Sequence, residues 1–267
     1  MKRIFFFDID HTLLDHHSFT IPASALKAIA ALRRDGHTIV VATGRSHAQA
    51  RQFSDQVQPD YLITQNGARI LKDGQEKLSI PLSHASLIAL FEWARAQGYP
   101  FGVNLDGLGY LSEAVPCTLE PLAATRTPYQ TDDPAYLRQP VHQAWLFYDE
   151  RLDPQTAETI LARFPAFDLV RWHRTAIDIM PRGINKWTGC QWVLQQTGFL
   201  PEQAVAFGDG LNDMQMLQGV GLSVAMGNGH PDLQAIADYV APALDRDGIA
   251  VALAQLMESG KIPRPSG

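Results

Sequence analysis

Short apolar runs alternate with helical patterns at both ends of this chain, and that alternation restricts the fold more than any other feature. Residues 3–8 (RIFFFD), 37–42 (HTIVVA) and 61–64 (YLIT) have the character of strands buried on both faces, and the runs end at acidic, Thr-Gly or Gln-Asn-Gly positions. After the first, Pro22 opens a helical pattern with Leu26, Ile29 and Leu32 at three-residue spacing, and Gly36 closes it. A second helix pattern covers residues 46–57. The rhythm returns late, with a helix over 186–197, a strand over 204–207, a helix starting around Leu211, strands over 222–225 and 239–241, and a helix over 248–257. Such alternation predicts an α/β fold, a doubly wound parallel Rossmann-like sheet with helices on both faces. Its chemistry should lie beyond the carboxyl ends of the strands.

Residues 82–183 are far too many for a loop and must form a domain of their own. They contain helix patterns at 84–97 and 154–164 and strand-like stretches at 101–104, 144–148, 168–172 and 176–180. The expected organisation is a core formed by residues 1–81 and 184–267, with an α/β cap inserted as residues 82–183. The tail, residues 261–267, is expected to fray.

Composition narrows the function. The 267 residues are 46% apolar and 19% charged, as in an ordinary globular protein. A formal net charge of −6 with no Lys/Arg cluster argues against nucleic acid as a partner. Cys117 and Cys190 are too few for a disulfide framework or a zinc knuckle, so a reducing compartment is expected. Only Ile4 to Phe7 separate Lys2 and Arg3 from Asp8, which is too short for a secretory signal. No run approaches the ~20 apolar residues that span a bilayer. The expected setting is cytoplasmic, with no membrane partner.

The acidic residues carry the chemistry. Asp8 and Asp10 lie two apart at the end of the first strand, so in an extended chain their side chains lean the same way, about 6.6 Å apart. A second acid pair, Asp209 and Asp213, follows the strand over 204–207 in Gly208-Asp209-Gly210-Leu211-Asn212-Asp213. Asp209 there also suits a helix N-cap and Asp213 a first turn. If the two strands are neighbours, four carboxylates converge, and each like-charge pair ~4 Å apart repels by about 4 kcal/mol at an effective dielectric of ~20. A cation is then required, and all-oxygen ligation favours a hard ion, Mg²⁺ above all where phosphate and water complete the shell. Thr43-Gly44 at the end of the second run offers a hydroxyl and backbone N–H groups, and Lys186 an ammonium at a helix start. Singly these suit a helix cap and a surface lysine. Together they form what a dianionic phosphoryl group needs.

These strings resemble the motifs of the haloacid dehalogenase-like (HAD) phosphohydrolases. Phe6-Phe7-Asp8-Ile9-Asp10-His11-Thr12-Leu13-Leu14 is similar to the first motif, Val41-Ala42-Thr43-Gly44-Arg45 to the second, Lys186 to the third, and residues 208–213 to the fourth. Residues 63–68, 177–181 and 225–228 resemble the Cof-type branch, which carries an inserted α/β (C2B-type) cap. His11 departs from the pattern, since the family most often has Gly there. The resemblance implies a Mg²⁺-dependent phosphomonoester hydrolase of small organic phosphates, such as sugar phosphates or phosphorylated cofactors. Asp8 would be the nucleophile that becomes an aspartyl-phosphate, and Asp10 the acid and then the base. Mg²⁺ would be held by Asp8, the backbone carbonyl of Asp10, and Asp209, with Asp213 in contact directly or through water. The phosphoryl group would meet Thr43, Gly44, Asn212, the Ile9 backbone N–H and Lys186, and Lys186 would also offset the charge of Asp8. A phosphomutase or a dedicated sugar-phosphate phosphatase on the same core is the neighbouring alternative, and an idle binding or regulatory protein the distant one.

Weaker signals remain. His11, His16 and His17 lack the second ligand cluster that zinc needs and are expected in a solvated loop. Gly227-Asn228-Gly229 imitates half of a dinucleotide fingerprint without its third glycine. Arg45 either reaches substrate or pairs with a surface acid. In the cap, Asp106, Tyr110, Trp172, His173 and Arg174 are candidates for leaving-group recognition, although Trp172 also suits a core and Asp106-Gly107 a hairpin turn.

Overall fold

Ile4–Phe7 form strand β1 and are wholly buried, as a strand covered on both faces requires. The computed structural model describes residues 2–263, and the chain divides into two units. The first unit holds the chain through Gly44, Ala50–Lys77, and the chain from Asn185 onward; the second holds Arg45–Gln49 and Leu78–Ile184. In order, β1 is followed by α1 (Ala23–Arg34), β2 (Thr38–Ala42), α2 (His47–Val57), β3 (Tyr61–Thr64), β4 (Arg69–Lys72) and β5 (Gln75–Ser79). Next come α3 (His84–Gln97), β6 (Phe101–Leu105), β7 (Leu108–Leu111), α4 (Pro116–Ala124), β8 (Tyr129–Thr131), β9 (Ala144–Phe147), α5 (Thr156–Arg163), β10 (Phe167–His173) and β11 (Ala176–Pro181). The chain ends with α6 (Lys186–Thr197), β12 (Ala204–Gly208), α7 (Met214–Gly219), β13 (Leu222–Ala225), α8 (Pro231–Ile236), β14 (Tyr239–Val240) and α9 (Gly248–Glu258).

The sheet of the first unit runs β14-β13-β12-β1-β2-β3-β4-β5. Every pairing from β14 to β3 is parallel, and β4 turns back antiparallel to β3. Period-two alternation sends Phe5, Phe7, Ile39 and Val41 to one face, where they share a core with Ile29 and Leu32 of α1 and Ile249 and Leu253 of α9. The opposite face carries α6, which packs against β2 and β3. The winding is therefore double, as the alternation predicts. Burial of each large apolar side chain such as Phe5 or Phe207 contributes about 1.5–3 kcal/mol. Because β1 is flanked by β2 on one side and β12 on the other, the strand order reverses there. The loops leaving these three strands emerge side by side at this switch point.

The second unit has its own six-stranded sheet, β10-β11-β9-β6-β7-β8, antiparallel except for the β7–β8 pair. One face is covered by Leu87, Leu90 and Phe91 of α3 and Ile160 of α5, and the other buries Trp145 and Phe147 against Leu122 of α4. Asp106 (φ 51°) and Gly107 (φ 87°) form the two-residue turn between β6 and β7, the hairpin that Asp-Gly favours.

Several local expectations are revised. The strands β4, β5, β7 and β8 and the helices α4 and α8 have no counterpart in the pattern reading; they are short, and β8 is exposed throughout. The helix expected from Leu211 begins as a 3-10 turn over Leu211–Asp213 before α7 starts. The tail does not fray at its start, because Ile262 is buried and the Lys261 carbonyl accepts from Arg3 at 2.9 Å. Residues 264–267 of that expectation lie outside the described residues.

Candidate active site

The site is built on the carboxyl ends of β1 and β12 and the first residue of α6, all in the first unit. Parallel register places Phe7 beside Phe207, and the Asp8 amide continues the ladder by donating to the Phe207 carbonyl at 3.1 Å. Asp8 and the Gly208-Asp209 step therefore leave the sheet together. Glycine is needed at 208 because a Cβ there would lie 2.7 Å from the Asp213 carboxylate. Asn185 caps α6 by accepting from the Thr188 amide at 3.1 Å, which fixes where Lys186 starts.

Lys186 is 1% exposed, and its Nζ donates to Asp8 Oδ1 at 2.6 Å and Asp213 Oδ1 at 2.7 Å. Asp213 Oδ2 accepts from the Asp209 and Gly210 amides, both at 3.0 Å. Asp213, not Asp209, thus satisfies the amides of this turn. Asp209 Oδ1 instead accepts from the Thr12 hydroxyl at 2.9 Å. Carboxylate oxygens of Asp8, Asp209 and Asp213 lie within 4.8 Å of one another.

Charge explains the electrostatics of this cluster. Burial pushes the Asp8 carboxyl well above its usual range; Lys186 opposes this, while Asp213, Asp209 and Asp10 reinforce it. Burial and then the Asp213 charge push Asp209 up to about 7. Burial alone would lower Lys186, but Asp213 and Asp8 outweigh it and raise its pKa. One ammonium faces three carboxylates, those of Asp8 and Asp213 buried and that of Asp209 half-buried, and the donors are all oxygen. That donor set fits a hard divalent cation, which Asp8, Asp209 and Asp213 could hold through their carboxylates.

Asp10 is placed differently from the expectation. The chain leaves the extended conformation after β1, His11 takes φ 56°, and the Asp10 carboxylate meets His16 Nε2 at 2.6 Å. Three carboxylates, not four, form the cluster, and the carboxylate of Asp10 is not among them. The histidine loop is solvated at His11 and His17, as expected, whereas His16 is half-buried and stacks on His11 with ring centroids 4.1 Å apart.

Thr43 is fully buried at the end of β2, the strand that pairs with β1. Its amide donates to the Ile63 carbonyl at 2.9 Å, so the group it can offer an anion is its hydroxyl, not its N–H. Gly44 approaches Asn66 closely enough that a Cβ would lie 3.2 Å from Asn66 Oδ1, the same oxygen that accepts from Asn212 Nδ2 at 3.1 Å. Ile9 is buried, and its carbonyl accepts from the Leu13 and Leu14 amides.

A family model described as haloacid dehalogenase-like hydrolase matches residues 5–253. The chain belongs to this family. YkrA of Bacillus subtilis is 36% identical over 257 residues, covering 96% of this chain and 98% of that protein. An HMP-PP phosphatase of Klebsiella pneumoniae is 31% identical, covering 88% of each chain. Among solved structures, the HAD subclass IIB sugar phosphatase BT4131 superposes with a TM-score of 0.83 at 26% identity, covering 98% of this chain and 100% of that one.

In this HAD-like chain, three residues that hold the site had no assigned role in the sequence reading. Thr12 anchors Asp209, Asn66 anchors Asn212, and Asn228 ties two loops by donating to the His11 carbonyl at 2.8 Å and accepting from the Leu244 amide at 2.8 Å. All three lie inside motif strings, but their partners are distant in sequence. Gly227 and Gly229 are packing glycines, since a Cβ at either would strike backbone within 2.9 Å. In the second unit, Arg45 is buried rather than laid on the surface. Arg174 forms ion pairs with Glu120 and Asp149, His173 Nδ1 lies 3.0 Å from the Thr175 hydroxyl, and Trp172 and Tyr110 pack against apolar clusters. Among the described residues, no helix is long and apolar enough to cross a membrane.

Proposed function

We propose that this protein is a Mg²⁺-dependent phosphomonoester hydrolase of small organic phosphates that works through an aspartyl-phosphate on Asp8. The observation that carries the reading is the buried Lys186 bridge between Asp8 and Asp213, with Asp209 alongside. The activities named for the relatives, HMP-PP phosphatase and sugar phosphatase, support a small phosphorylated substrate. In this reading the second unit is the inserted cap.

Asp8, Asp209 and Asp213, with the backbone carbonyl of Asp10, would hold Mg²⁺, which when bound supplies positive charge to these carboxylates and to the phosphoryl oxygens. The Thr43 hydroxyl, the Gly44 and Ile9 amides, Asn212 and Lys186 position the phosphoryl group. An Asp8 oxygen attacks phosphorus, the bond to the leaving oxygen breaks, and Asp10 gives that oxygen its proton. Asp10 then takes a proton from water as the water oxygen attacks phosphorus, and the bond to Asp8 breaks to return the free carboxylate and inorganic phosphate. Lys186 favours the ionised form of Asp8 and so opposes the burial that raises its pKa.

The test is phosphate release from p-nitrophenyl phosphate and a panel of sugar phosphates, with Mg²⁺ and with EDTA. Turnover should need the metal and should vanish in Asp8→Asn with the circular dichroism spectrum unchanged. Metal-independent turnover, or activity retained by that variant, would overturn the reading; transfer of phosphate to a second sugar instead of water would mark a mutase.

A further inference from the structure

We infer that His16, braced by His11, is the positioning residue that holds the Asp10 carboxyl away from the acid cluster and in place for proton transfer, an inference that rests on the phosphatase reading above. After β1 the chain folds back through bridges between Asp10 and Leu14 and between Asp15 and Thr20. Within this fold-back the Asp15 carboxylate accepts from the His17 and Ser18 amides and from the Ser18 hydroxyl, which shapes the turn that carries His16. His16 Nε2 then meets Asp10 Oδ1 at 2.6 Å. With the hydrogen on Nε2, the imidazole donates to the carboxylate, and the two side chains are 22% and 31% exposed, so the contact is partly shielded from water.

The ring of His16 has neighbours on three sides. Its nitrogen engages Asp10, its face stacks on His11 at 4.1 Å and 20°, and the Phe19 ring approaches edge-on at 6.3 Å. Phe19 in turn packs edge-on against Phe53 of α2, and Asn228 holds the His11 carbonyl. His11 occupies the left-handed region at φ 56°, where glycine would be unstrained. A glycine at that position would leave the His16 ring without its stacking partner. The left-handed His11 and the His16 contact are thus two halves of one device.

The device has a purpose because Asp10 lies only two residues beyond Asp8, a member of the acid cluster. A carboxylate free to rotate there would be drawn to a cation held by its neighbours or to Lys186. A hydrogen bond from a ring stacked on His11 keeps one oxygen of Asp10 out of that competition, as partners behind metal-bound residues orient their ligands.

The experiment compares kcat/KM for p-nitrophenyl phosphate, whose leaving group departs without a proton, with kcat/KM for an alkyl phosphate accepted by the wild type, whose leaving alkoxide needs one. This constant reports the steps up to phosphoryl transfer to Asp8, where Asp10 acts as acid. His16→Ala should lower kcat/KM for the alkyl ester about 10- to 100-fold and for the aryl ester less than about threefold. His16→Gln, which keeps an N–H donor, should recover most of the alkyl rate. On an Asp10→Asn background, His16→Ala should have no further effect on either ester. Equal losses on both esters, no loss on either, or a full additional loss in the double variant would overturn the inference while leaving the phosphatase reading intact. Failure of the wild type to hydrolyse either ester with Mg²⁺ would overturn both. The retained aryl rate also shows that each variant is folded.

Discussion

Lys186 illustrates what one residue decides. It is buried between two carboxylates, and its removal would leave both without their shared cation. Breaking a buried ion pair from one side costs about 3–5 kcal/mol, so Lys186→Met should lower the metal-free unfolding free energy in urea by that amount. A loss below about 1 kcal/mol would show that the Lys186 bridge adds little to the stability of the fold. Asp178 makes the opposite case in the second unit. Burial, only partly offset by the hydrogen bond that Gln143 donates at 3.0 Å, raises its carboxyl from 3.8 to about 7. The folded state therefore binds this proton more tightly than the unfolded chain, so the contribution to stability is greatest below pH 3.8 and declines as pH rises through about 7. Asp178→Asn keeps an acceptor for Gln143 and should flatten that decline, adding up to a few kcal/mol above pH 7. Chemical denaturation across pH 4–8 measures it, and an unchanged pH slope would show that Asp178 is not the group responsible.

At the scale of elements, α6 was legible end to end because its stops are chemical. Asn185 and Thr188 cap each other at the start, and Gly198 takes φ 73° at the end. Removing the cap with Asn185→Ala should cost about 1 kcal/mol in thermal denaturation. Gly67→Ala should cost more, since φ is +102° and the new Cβ would lie 2.2 Å from the Asn185 carbonyl oxygen. A melting temperature equal to wild type in Gly67→Ala would mean that the turn before β4 can move away from α6. The last two strands of the sheet, β4 and β5, have no counterpart in the sequence reading, although Asp73 and Gly74, at φ 51° and 72°, are the Asp-Gly pair that marks a hairpin. Their flanking residues are mixed and partly exposed, so periodicity alone does not reveal them. The six-residue helix α8 is too short to show a clear period.

For the molecule as a whole, the decisive feature is that each unit has a core of its own. Phe101 stacks on Phe91 at 4.1 Å and meets Tyr136 edge-on, in a cluster made entirely of residues from the second unit. The β1–β2–β12 core draws only on the first. Phe101→Ala should cost about 3–5 kcal/mol, and hydrogen exchange should show the loss at amides of β6, β9 and β11, with β1 and β12 still protected. Equal loss of protection in both sheets would show that the two cores unfold as one.

The sequence by itself determined the strand–helix alternation, the bounds of α3, α6, β3 and β13, and the motif strings that supply the site. These depend on local patterning, capping and runs of apolar side chains, which neighbouring residues encode. Only the tertiary structure decided that Asp10 turns to His16 instead of joining Asp8, Asp209 and Asp213, that the Thr43 amide belongs to the sheet, and that Thr12, Asn66 and Asn228 hold partners far along the chain. Those outcomes depend on backbone angles at single residues such as His11 and on contacts across more than a hundred positions, and no short-range pattern carries that information.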